Sequence, residues 1–138
     1  MTTTIPDLET MVLTADPQQQ NDAFLAAFNS GKGAIFDRLY LDDAVSNLSG
    51  APLTGAARTE AITALLASGP KLQSSVKACY STADTSLIIV EYVLDITDAE
   101  GKGQRIKGIC TDVLTLREDG NWWMSVDRPI ALETTPID

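Results

Sequence analysis

The 138-residue chain, 44% apolar and 21% charged, has room for one globular domain with its own core and too little length for two. Its 19 acidic and 10 basic residues leave a formal net charge of -9, an excess that repels phosphate backbones and anionic lipid, so no nucleic acid and no membrane are expected as partners. Histidine is absent, which removes imidazole triads, histidine metal ligands and a histidine pH switch and leaves acid–base chemistry to carboxylates, tyrosine, lysine or cysteine.

Residues 1–14 read as an arm in which Leu8, Met11 and Val12 are expected to dock as a helical turn. Met1 to Pro6 has no basic start and no apolar run of signal-peptide length, and no stretch nears the roughly 20 apolar residues of a membrane span, so the expected location is cytoplasmic. Asp16-Pro17 looks like an N-cap with proline at the first helical position; Ala23, Phe24, Ala27 and Phe28 then recur at helical spacing, predicting a helix over 17–30 that ends at Gly31. A short helical piece over 34–39 brings Ile35, Phe36 and Leu39 together before Asp42-Asp43. Ala44 to Thr54 reads as two short strands around Ser49-Gly50, and Thr54 caps a helix over 56–67 that stops at Gly69-Pro70. Alternating β-branched runs follow, predicting strands over 72–82, 86–97, 103–117 and 121–128. Helices first and a sheet afterwards means α+β, here one domain over 15–130 with 131–138 as a C-terminal tail.

Asp98-Ala99-Glu100-Gly101 and Arg117-Glu118-Asp119-Gly120 suit a type I turn closed by a left-handed glycine, and each such turn sets a register. Tyr92 then faces Gly108, Val90 faces Cys110, Ile88 faces Asp112, Leu116 faces Trp122 and Leu114 faces Met124; extended without a bulge, the last pairing sets Asp112 opposite Val126. Even positions share one apolar face in which Asp112 is the only charge. On the odd face Asp95 falls opposite Arg105 and Glu91 diagonal to Lys107, both favourable pairs. Cys79 and Cys110 have a whole strand between them, beyond disulfide reach, and should stay reduced as buried thiols.

A carboxylate among aliphatic side chains must be hydrogen-bonded or protonated. Asp112 is therefore a structural acid met by internal donors, a pocket acid that touches ligand, or a residue turned away by a bulge. Tyr40, Tyr80 and Tyr92 offer phenols but sit at spacings typical of core. Asp42-Asp43 lacks further oxygen ligands at recognisable spacing and reads as a solvated helix end, so no metal is expected. Asp127 beside Arg128 and Pro129 reads as a strand end with a local charge pair, a role at the pocket mouth being the alternative. Gly31-Lys32-Gly33 and Gly101-Lys102-Gly103 lack the strand-to-helix context of phosphate loops.

The order of elements, with Phe24-Leu25-Ala26-Ala27-Phe28-Asn29-Ser30-Gly31, Leu39-Tyr40-Leu41-Asp42-Asp43-Ala44-Val45, Thr54-Gly55, Asp119-Gly120-Asn121-Trp122 and Val126-Asp127-Arg128-Pro129, resembles the SnoaL-like branch of the nuclear transport factor 2-like superfamily. The resemblance implies an α+β cone whose curved sheet wraps helices around an apolar pocket, commonly in a homodimer, in a family of polyketide cyclases, ketosteroid isomerase, dehydratases and proteins without assigned activity. By ungapped matching, the ketosteroid isomerase oxyanion-hole tyrosine falls on Phe24 and its base on Leu48, neither of which has the required group. Only its protonated aspartate finds a counterpart, Asp112, so ketosteroid isomerase activity is not expected.

The expected protein is thus a pocket for a small, largely apolar molecule lined by Phe24, Phe28, Leu48, Tyr92 and Trp122. If it is catalytic, Asp112 acts as acid or hydrogen-bond donor in isomerisation, cyclisation or dehydration of a carbonyl compound, with no cofactor. The alternative is a non-catalytic ligand-binding or interaction module. Leu87, Ile89, Val93, Ile109, Val113 and Trp123 share the odd face, which the helices do not cover, so the expected partner is a second copy docking there with Trp123 near the centre.

Overall fold

The computed structural model describes residues 11–47 and 51–137; Leu8 and Leu48, both given roles above, lie outside them. The elements run α1 (Pro17–Asn29), α2 (Gly33–Asp37), β1 (Tyr40–Ser46), α3 (Gly55–Ala67), β2 (Lys71–Ser81), β3 (Thr85–Thr97), β4 (Gly103–Leu116) and β5 (Trp122–Ile137). The sheet order is β1-β5-β4-β3-β2, with β1 parallel to β5 and the other neighbours antiparallel. Helices on the even face of a bulged sheet give the expected α+β architecture. Among the described residues no helix is long and apolar enough to cross a membrane.

Local chemistry accounts for the element ends. Asp16 caps α1 by accepting from the Gln18 N–H at 3.0 Å, with Pro17 at the first position. Gly101 and Gly120 adopt φ of 82° and 83°, which closes the two hairpin turns. The registers those turns predict are present from Tyr92 opposite Gly108 to Ile88 opposite Asp112, and again at Leu114–Met124 and Leu116–Trp122. Arg105 grips Asp95 with two hydrogen bonds of 2.8 and 2.9 Å, while Glu91 pairs with Lys77 at 3.5 Å instead of with Lys107. Both cysteines are free.

Four expectations are corrected. Residues 11–16 contain no helical turn; Leu13 forms a β-bridge with Trp122. The segment read as two short strands is one strand that starts earlier, at Tyr40, plus a lone Ser46–Leu53 bridge. The last strand does not stop at 128: β5 stays paired with β4 as far as Ile137 opposite Gly103, so residues 131–137 are strand and not tail. Finally, Asp112 does not face Val126. Ser125 is an extra residue in β5, so Leu114 faces Met124 but Val113 faces Val126, and Asp112 faces Asp127. A one-residue bulge exchanges the two faces of a strand beyond it: Val126 is 38% exposed and Asp127 only 4%.

The core gathers on the even face, where Phe28, Leu66, Leu114 and Met124 are fully buried. Gly108 belongs to this packing for a steric reason. A Cβ there would run into the Ile130 carbonyl oxygen and lie 2.7 Å from the Tyr92 hydroxyl, and the backbone oxygen cannot step aside. Gly108→Ala is expected to lower unfolding stability by about 1–3 kcal/mol, the usual range for overpacking; unchanged urea denaturation would show that β4 and β5 are not packed in this register.

Candidate functional site

A cavity of about 310 Å³ opens between α1 and the even face of the sheet. Its walls include Phe24 and Phe28, one helical turn apart on α1, with Phe36 from α2 and Ile88, Val90 and Tyr92 from β3. The expected positions Phe24, Phe28 and Tyr92 therefore all face it. Trp122 does not: it lies on the same sheet face but two residues before Met124, past the cavity's end, where it is bridged by Leu13 and buried in the core.

The cavity's polar end is made by β1, β4 and β5 together. Asp112 and Asp127 are directly opposed across the β4–β5 ladder, and both side chains line the cavity. The Tyr40 hydroxyl donates to Asp127 Oδ2 at 2.5 Å, and the Ser46 hydroxyl adds a longer bond of 3.3 Å to the same oxygen. Cys110 Sγ lies 3.0 Å from Asp112 Oδ1 and 3.2 Å from Asp127 Oδ1, its single S–H shared between them. Asp112 in turn hydrogen-bonds to Asp127 and accepts from the backbone N–H of Arg128.

These contacts divide the roles within the pair. Burial, followed by the Asp127 charge and the hydrogen bond between the two carboxyls, pushes the Asp112 carboxyl well above the ordinary aspartate value, outweighing the Cys110 and Arg128 donors. Asp112 is thus biased towards its protonated form, and Asp127 accepts from the Tyr40 and Ser46 hydroxyls and the Cys110 thiol. Burial and the same two carboxylates drive the Cys110 thiol far above its usual range, so it remains S–H. Burial and Asp127 likewise hold the Tyr40 phenol protonated.

Tyr40 is itself fixed from behind. Arg58 of α3, 5% exposed, places its guanidinium 5.1 Å from the Tyr40 ring centroid. It donates to the carbonyls of Leu41 and Ala44 at 2.8 and 3.0 Å and pairs with Asp37 at 3.1 Å. Those carbonyls flank the part of β1 that swells out of register with β5 between Tyr40 and Val45, so one buried cation holds the irregular turn and the ring together. Phe24 and Phe36 complete the ring's surroundings with centroid distances of 6.1 and 5.3 Å.

Cys110, Asp112 and Asp127 present ligand atoms within 4.8 Å of one another, yet their chemistry suits a metal poorly. Metal ligation needs deprotonated thiolate and carboxylate, and burial with mutual repulsion biases the thiol and one of the carboxyls towards their protonated forms. Asp42 and Asp43 are exposed and do not approach the cavity.

Asp112 was legible as the buried acid; Asp127 and Tyr40 were not. Trp122, Met124 and Val126 keep an unbroken alternation, so nothing local marks the bulge at Ser125. The usable signal is long-range, since the buried Tyr40 hydroxyl meets its acceptor only if Asp127 turns inward.

A family model described as a SnoaL-like domain matches residues 22–124. No curated protein matches the chain. Among solved structures, the chain is similar to a hexachlorocyclohexane dehydrochlorinase (LinA, type 2) at 16% identity, with 88% of this chain and 87% of that one covered and a TM-score of 0.71. It is similar to a protein provisionally assigned as a scytalone dehydratase from Novosphingobium aromaticivorans at 12% identity, 88% and 85% coverage and a TM-score of 0.69. It is also similar to a provisionally assigned calcium/calmodulin-dependent protein kinase type II association domain from Thiobacillus denitrificans at 23% identity, 89% and 100% coverage and a TM-score of 0.70. Likeness at these identities shows a shared fold and no shared chemistry.

Two outcomes are expected at this site. Because the folded pKa of Asp112 is raised above the ordinary 3.8, its contribution to stability is complete below that value and is lost as pH rises through the folded pKa. Asp112→Asn should gain stability relative to wild type as pH climbs through that window, read by urea unfolding at a series of pH values; a constant difference would mean that Asp112 is an ordinary ionised carboxylate. Tyr40→Phe removes the short donor to a buried carboxylate and should cost about 1.5–3 kcal/mol, with a smaller loss pointing to Ser46 as a sufficient replacement.

Proposed function

The chain belongs to the SnoaL-like domain family, and within it we propose a pocket protein that binds a small, largely apolar carbonyl compound and catalyses its isomerisation, cyclisation or dehydration without a cofactor. The observation that carries this reading is a pair of directly opposed carboxyls at the end of an otherwise apolar cavity, Asp112 being biased by burial and by its neighbour towards its protonated form. Such a pair places a donor and an acceptor side by side away from bulk water, where both are stronger catalysts than in solution. Asp112 gives its proton to the substrate oxygen, and Asp127, oriented by Tyr40, takes a proton from the neighbouring carbon. The enolised substrate then takes the Asp127 proton at a new carbon and so shifts its double bond, adds to a second carbonyl whose oxygen takes that proton and closes a ring, or expels a hydroxyl that leaves with it as water. The carbonyl re-forms by returning its proton to Asp112. Two of the similar structures, the dehydrochlorinase and the provisional dehydratase, are named for eliminations, which agrees with this chemistry.

A simple ketone tests it without knowledge of the natural substrate. Exchange of the α-protons of 2-tetralone in deuterated buffer, followed by NMR, should exceed the buffer rate and fall at least about tenfold in Asp127→Asn and in Asp112→Asn, typical of losing a general acid or base. Exchange at the buffer rate by wild-type protein would favour the non-catalytic binding module.

A homodimer through the outer sheet face is part of the same proposal. Leu87, Ile89, Val93, Val113 and Trp123 are half-buried there and Ile109 is 37% exposed, and the bulge adds Val126 to the patch. Trp123 is held on this face by its indole N–H, which donates to Asp119 at 3.2 Å. A patch of this kind on one sheet face supports self-association. Sedimentation should give a dimer at micromolar concentration that Trp123→Ala weakens, and a wild-type monomer would remove the interface from the proposal.

A further inference from the structure

The cavity's charge is as informative as its shape. The chain's 10 lysines and arginines all fall among the described residues, and none lines the cavity. Arg58, behind Tyr40, is occupied by Asp37 and two carbonyls, and the Arg128 side chain is exposed outside the cavity. The polar end of the cavity is biased towards acceptors, while the Tyr92 hydroxyl and the Asn21 and Asn47 amides, which can donate, also line it. The carboxyls of Asp112 and Asp127 face each other there, and the hydroxyl of Tyr40 and the thiol of Cys110 are already committed to them.

A second, separate residue has the same bias. Gln20 of α1 is fully buried and lines the cavity; its amide N–H donates to the Thr14 carbonyl at 2.7 Å, but its Oε1 has no partner. A buried carbonyl oxygen without a donor is costly to leave unsatisfied. Aromatic rings from Phe24, Phe28, Phe36 and Tyr92 make up much of the remaining wall, and their faces are attractive to cations.

We infer that the cavity selects by charge: it takes a neutral or, best of all, a protonated-amine ligand on an apolar body, and refuses the carboxylate or phosphate counterpart. This rests on the reading of the cavity as a ligand pocket, and on no assumption about catalysis. An ammonium group brings three donors and a positive charge to a site rich in acceptors and lacking cations. A buried anion would meet Asp127 with no cation to offset the repulsion or its lost hydration.

Three probes of similar shape test this at pH 7 by calorimetric titration of the full chain: 2-naphthylmethylamine, 2-naphthalenemethanol and 2-naphthoate. The amine should bind at least about tenfold tighter than the alcohol, the gain of a charge-assisted hydrogen bond, and the naphthoate at least about tenfold weaker. Asp127→Asn should bring amine and alcohol together; if that variant fails to fold, Asp112→Asn, which leaves the Asp127 charge in place, should keep the amine preference. Naphthoate binding as tight as the alcohol, or an amine no tighter than the alcohol, overturns charge selection while leaving the pocket reading intact. Binding of none of the three overturns the pocket reading and this inference with it.

Discussion

The inward turn of Asp127 is the constraint on which the rest of the site depends. A carboxylate carried from water into an apolar interior is costly unless donors meet it, and here the donors come from separate parts of the chain. Tyr40 and Ser46 lie on β1, Cys110 and the Asp112 carboxyl on β4. β4 is the neighbouring strand of the hairpin, but β1 lies more than eighty positions away in sequence, so the carboxylate is stable in place only once β1, β4 and β5 have all assembled. The parallel pairing of β1 with β5 serves this directly: Ser46 is aligned with Asp127, and the Asn47 N–H donates to the Asp127 carbonyl at 2.8 Å.

A second buried charge, Arg58, extends the dependence into the helices. β1 loses register with β5 between Tyr40 and Val45, and an edge strand with such a swelling needs its freed carbonyls satisfied. Arg58 supplies donors to Leu41 and Ala44 while its guanidinium covers the Tyr40 ring. The helix α3 therefore reaches the carboxyl pair through one side chain and one ring. Its ion pair with Asp37, itself bonded by the Thr59 hydroxyl at 3.1 Å, ties in the end of α2. Arg105 pairs with Asp95 on the outside of the sheet, and no lysine or arginine lines the cavity.

The two charged groups thus have different tasks. Arg58 spends its two terminal nitrogens on structural partners and does not line the cavity, whereas both carboxyls line it. Burial accounts for both arrangements. A guanidinium offers several donors in a plane, and here its terminal nitrogens meet two carbonyls and one carboxylate, while two carboxyls buried side by side cannot both ionise cheaply.

Much of this architecture was determined by the sequence itself. The Asp16-Pro17 cap, the left-handed glycines at 101 and 120, and the period-2 alternation of β3 and β4 are local features, each acting over a few residues, and they were enough to set Ile88 opposite Asp112 and to mark that aspartate as buried. Phe24 and Phe28 followed from helical spacing in the same way. What only the tertiary structure decided was the phase of β5 beyond Ser125, and with it Asp127, the outward placement of Val126, the run of strand past Pro129 to Ile137, and the exclusion of Trp122 from the cavity. A one-residue bulge leaves no local mark when apolar residues alternate on both sides of it. Its energy is settled by partners roughly eighty positions away in sequence, the hydroxyls of Tyr40 and Ser46.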